Sequence, residues 1–128
     1  MIFKCKDIQI TNEDFGCTLT FNDRIESTIE GERTVQEIMD SLGKYVMLQR
    51  TYGEAGSDKD YHYFEMSEFD NSGELVNFQI DFKPNKFSMQ YKQETIEIAL
   101  NISEKLFREI EEALIIITNN RGTLNIHK

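Results

Sequence analysis

An α+β fold follows from three features of this sequence: a mainly antiparallel β-meander, packed on one face against a C-terminal helix. The first feature is strict alternation. Val76, Phe78, Ile80 and Phe82 alternate with Leu75, Asn77, Gln79 and Asp81; Phe87, Met89 and Tyr91 alternate with polar residues; so do Ile96, Ile98, Leu100 and Ile102. Period-two alternation puts the apolar side chains on one face of a sheet. The second feature is the stripe Leu106, Phe107, Ile110, Ala113, Leu114 and Ile117, whose helical spacing supplies a cover for that face. The third is punctuation: Asp70-Asn71-Ser72-Gly73, Pro84-Asn85 and Lys92-Gln93-Glu94 are turns too short to join parallel strands.

Taken in order, residues 2–10 read as a first strand, and Thr11-Asn12-Glu13-Asp14 as a polar turn. Phe15, Cys17, Leu19 and Phe21 alternate in a second strand, antiparallel to the first. Residues 24–33 are charged and read as a loop. Thr34 and Glu37 fit a capping box, Val35, Ile38, Met39 and Leu42 follow at helical spacing, and Gly43 can end the turn; a short helix is expected over 34–43. Lys44–Arg50 is a dense apolar run of strand length. Residues 51–60 form a glycine-bearing loop, and 61–69 an aromatic strand. Strands at 74–82, 86–92 and 94–102 complete the meander. Ser103 caps the helix over 103–118, Asn119-Asn120-Arg121-Gly122 stops it, and 123–127 is a short tail with strand alternation. The whole chain, 1–128, reads as one domain, long enough to bury about two-thirds of its unfolded surface.

Composition bounds the function. The formal charge is −9, from 23 acids against 14 bases. A negative surface repels nucleic acid and anionic membrane and attracts basic partners. No signal peptide or membrane anchor is read at the N-terminus, and no apolar run has the length of a bilayer span, so the expected compartment is the cytoplasm. Cys5 and Cys17 do not make a disulfide framework and are expected to be reduced, packed thiols.

Catalytic chemistry finds no anchor. His62 and His127 have no histidine or cysteine at metal-ligand spacing. None of Ser57, Ser67, Ser72, Ser88 or Ser103 stands in a nucleophile motif. Gly53 and Gly56 lack the lysine and helix of a phosphate loop, and Glu54, Asp58 and Asp60 are at the wrong offsets for a calcium loop. The reading is a non-enzyme without cofactor or metal.

The most informative feature is the acidic stretch from Glu54 to Asp81, where Lys59 is the sole lysine or arginine. Carboxylates meet arginine forks, and tyrosines make rigid anchors. The expected partner-binding residues are therefore Glu54, Asp58, Asp60, Glu65, Glu68 and Asp70, with Tyr61 and Tyr63 as anchors.

The order of elements then resembles a known family. A strand ending Tyr45-Val-Met-Leu-Gln-Arg50 precedes an acidic loop, followed by Tyr63-Phe-Glu65, a Gly73-Glu-Leu-Val-x-Phe strand, Lys86-Phe-Ser-Met, Ile96-Glu-Ile-Ala-Leu and a helix ending Glu112-Ala-Leu-Ile. This resembles the Imm10-type immunity proteins of bacterial polymorphic toxin systems, over residues 15–22 and 44–117. It departs at 24–43, which looks longer than the family pattern. The resemblance implies a cytoplasmic protein that binds a cognate toxin domain, such as a basic nuclease, and blocks its site without catalysis. Two other readings fit the same residues: a phage-type inhibitor of a nucleic-acid enzyme, and a structural protein that self-associates, for example as a homodimer, through an exposed edge at 44–50 or 123–127. A small-molecule module would instead need a deep pocket of convergent polar groups.

Overall fold

Strand and helix propensity resolve into β1 (Ile2–Lys4), β2 (Asp7–Glu13), β3 (Gly16–Asn22), β4 (Tyr45–Thr51), β5 (Tyr61–Met66), β6 (Gly73–Glu74), β7 (Gln79–Lys83), β8 (Lys86–Tyr91), β9 (Glu94–Ala99), α1 (Glu104–Thr118) and β10 (Thr123–Ile126). The computed structural model describes residues 1–23, 43–53, 59–67 and 72–128. The expected helix over 34–43 lies outside the described residues, apart from Gly43.

The described strands form two five-stranded sheets. Sheet I has the order β2-β3-β4-β5-β6, antiparallel throughout. Sheet II has the order β1-β9-β8-β7-β10. Its centre is antiparallel, and each edge strand is parallel to its neighbour: β1 to β9 and β10 to β7. The α+β architecture and the helix packed on sheet are as the sequence predicts. The meander is also present, but it divides between the two sheets.

Two expected strands break, each for a local reason. Residues 2–10 split at Cys5-Lys6, where Cys5 N–H donates to Ala99 O in sheet II and Lys6 N–H to Asn22 O in sheet I, both within 2.9 Å. The chain thus turns a corner from one sheet into the other. Residues 74–82 split at 75–78, where Asn77 takes a left-handed φ of 51°. That bend shifts the alternation by one residue: Leu75 is fully buried and Val76 is 39% exposed, the reverse of the expected phase. From Phe78 onward, Phe78, Ile80 and Phe82 point inward as predicted.

The two sheets share one core. On sheet I the inward rows are Phe21-Val46-Met66 and Leu19-Leu48-Phe64. On sheet II, Ile98-Phe87-Phe82 and Ile96-Met89-Ile80 answer them. Phe21 packs on Phe87 with ring centroids 4.8 Å apart, and Phe64 on Tyr91 at 4.6 Å. α1 buries Phe107, Ile110, Ala113, Leu114 and Ile117 against β2, β3, β4 and β10, and Phe107 stacks on Phe82 at 4.5 Å. Each large side chain on that stripe contributes roughly 1.5–3 kcal/mol of burial. Ser103 Oγ accepts from Leu106 N–H at 3.1 Å, and Asn119, in the left-handed region, donates to Ile115 O at 3.1 Å. Cys5 and Cys17 are both free thiols.

Candidate protein-binding face

Alternation assigns a second, outward side to sheet I. The residues between the core positions, Tyr45, Met47 and Gln49 on β4 and Tyr61, Tyr63 and Glu65 on β5, lie there together. The ladder sets Met47 opposite Glu65, Gln49 opposite Tyr63 and Glu74 on the far side of Tyr63. At the centre is a carboxylate held by two phenols. Tyr45 OH donates to Glu65 Oε2 at 2.9 Å, and Tyr63 OH donates to Glu65 Oε1 at 3.0 Å. Tyr61, half-exposed, stacks on Tyr63 with centroids 6.3 Å apart. Burial, with the bond to Glu65, pushes the Tyr45 phenol up to about 12. The bond to Glu65 also raises Tyr63. Both phenols are therefore donors, and the carboxylate is fixed from two sides.

Of the residues expected to bind a partner, Tyr61, Tyr63 and Glu65 are brought onto this one face. Glu54, Asp58, Glu68 and Asp70 lie outside the described residues. Asp60 serves the fold. Its Oδ2 receives Arg50 Nε at 2.7 Å and Nη2 at 2.5 Å, and its Oδ1 accepts Gly53 N–H at 2.8 Å. The Gly53 N–H, followed by the Arg50 guanidinium, holds the Asp60 carboxyl below the usual carboxylate range. Arg50 is on the inward side of β4, where Nη1 donates to Ile116 O at 2.8 Å. His62, buried beside it on β5, sits with Nδ1 2.7 Å from Ile117 O; the carbonyl only accepts, so Nδ1 carries the hydrogen. Burial pulls the His62 pKa down, favouring the neutral ring. Arg50 and His62 thus cap the C-terminal carbonyls of a helix whose own last turn has no basic residue.

Sequence reasoning missed Tyr45, Met47, Gln49 and Glu74. The signal was present: Tyr45, Met47 and Gln49 are the odd positions of the 44–50 run. An apolar residue on either face of β4 hides the period, so the run reads as uniformly buried.

Charge distinguishes the two outer faces. At strand positions, the outer face of sheet I carries Asp7, Glu13, Glu65 and Glu74 and, among the described residues, no lysine, arginine or histidine. The outer face of sheet II carries Lys4, Lys83 and Lys86 with Asp81 and Glu97. There Asp81 is held by Asn125 Nδ2 at 3.1 Å and Gln79 Nε2 at 3.4 Å, and Asn125 leads in lowering its pKa.

Other clefts lie away from this face. One of about 530 Å³, lined by Asn77, Gln79, Gln90, Lys92, Gln93 and Glu94 among others, offers amides but no histidine or cysteine. A smaller one, about 380 Å³, is apolar and lies at the start of α1 beside Phe107 and Ile102. Among the described residues no group of three His, Cys, Asp or Glu side chains could hold a metal ion, and no helix is long and apolar enough to cross a membrane.

Comparison with protein-family models, curated proteins and solved structures found no match to this chain.

Proposed function

We propose that this chain is an immunity-type protein of the cytoplasm, which binds a cognate toxin domain through the outer face of sheet I and neutralises it without catalysis. The observation that carries this reading is the Tyr45–Glu65–Tyr63 cluster with Tyr61 stacked beside it. Rigid phenols and a positioned carboxylate are the groups that anchor protein interfaces. The uniformly acidic face and the formal charge of −9 favour a basic partner, such as a nuclease, and speed its encounter. The order of elements over residues 15–22 and 44–117, read above as resembling Imm10-type immunity proteins, is what suggests a toxin as that partner. The face offers hydrogen-bond acceptors and rings, and a binding role uses all of them.

Co-expression with the protein encoded beside its gene tests this. The neighbouring product should arrest growth alone and be tolerated with this chain. The triple variant Y61A/Y63A/E65K should fold, by circular dichroism, and lose the protection. A harmless neighbour, or protection untouched by the triple variant, refutes the reading.

A further inference from the structure

The cluster also specifies what kind of side chain it receives. Each Glu65 oxygen accepts one phenol O–H, which uses one acceptor site per oxygen and leaves another on each. The carboxylate is part-buried and cannot swing freely between its two donors. Immediately along β5, the stacked Tyr63 and Tyr61 rings make a platform, with Tyr61 50% exposed. A second carboxylate, Glu74, stands across the ladder from Tyr63. A fixed two-oxygen acceptor beside an aromatic face matches one natural side chain best. A guanidinium is planar, donates two parallel N–H bonds and stacks on rings, whereas an ammonium is a point charge with a tight hydration shell.

The geometry points to an arginine of a basic protein partner as the group seated on Glu65 and the Tyr61–Tyr63 pair. This rests on reading the outer face of sheet I as the binding face, and deepens it by naming the partner's contact residue. Charge complementarity supports that occupant, because the strand positions of this face carry four carboxylates and no cation among the described residues. The outer face of sheet II of a second copy would not supply that group, because its strand positions carry lysines and no arginine.

The test uses the full chain, ¹⁵N-labelled, titrated with two peptides of equal length and charge: an alternating Gly-Arg peptide and its Gly-Lys counterpart. The arginine peptide should shift the amides of 45–49 and 61–65 and bind about tenfold tighter than the lysine peptide. E65Q, which keeps the shape of the side chain, should remove that preference while leaving the rest of the spectrum in place. Equal binding of the two peptides at this face overturns the arginine assignment and leaves the binding-face reading standing. Shifts confined to other surfaces overturn both. Concentration-dependent shifts of the same amides without peptide assign the face to a second copy, and also overturn the proposal.

Discussion

Replacing Arg50 by methionine removes the contact between sheet I and the end of α1, together with the ion pair to Asp60. Arg50 is on the inner side of β4, with its side chain 19% exposed, and its guanidinium joins Ile116 O to Asp60. Methionine keeps the unbranched stem and its packing but cannot donate. The charge-assisted bond to Ile116 O is lost, at a cost of about 1.5–3 kcal/mol. Taking about 2 kcal/mol, and about 3–5 °C per kcal/mol for a domain between the small and mid-sized classes, Tm should fall by about 6–10 °C. R50K should lie between, since lysine keeps the charge without the fork. Thermal unfolding by circular dichroism reads the shift, and faster amide exchange at 117–121 should accompany it. There is a physical alternative: desolvating an ion pair can cost more than it returns, and then an apolar isostere stabilises. An R50M protein with unchanged or raised Tm refutes the capping argument.

Two further outcomes follow from the geometry. Tyr45 should titrate near pH 12 by its ultraviolet absorbance, and E65Q should lower it only in part, since burial is the larger cause of the shift; a wild-type titration showing every tyrosine near 10 contradicts the buried, Glu65-bonded phenol. Because burial and the bond to Glu65 raise the folded value, the stability linked to the neutral Tyr45 phenol is fully present below about pH 10 and is lost as pH rises through 12. At Gly16 a Cβ would stand 2.4 Å from Arg50 O, so G16A must push β3 from β4 and should cost about 2 kcal/mol or more; an unshifted denaturation midpoint argues against that close approach.

The sequence by itself determined the local elements and which residues are greasy within them. The Phe87-Met89-Tyr91 and Ile96-Ile98 alternations, the 106–117 stripe, the Ser103 cap and the Asn119-Asn120 stop all stand where side-chain chemistry and backbone preference put them, because these depend on neighbours a few residues away. Tyr61, Tyr63 and Glu65 were legible for the same reason: strand periodicity alone puts them on one side. The tertiary structure decided what depends on distant partners. It divided the strands between two sheets at Cys5-Lys6 and Asn77, since a strand's continuity is set by which edge is free to pair. It paired Asp60 with Arg50, since a carboxylate's role depends on the cation that folding brings to it. It also joined Tyr45 to Glu65, twenty residues apart in the chain, into one site through the β4–β5 ladder.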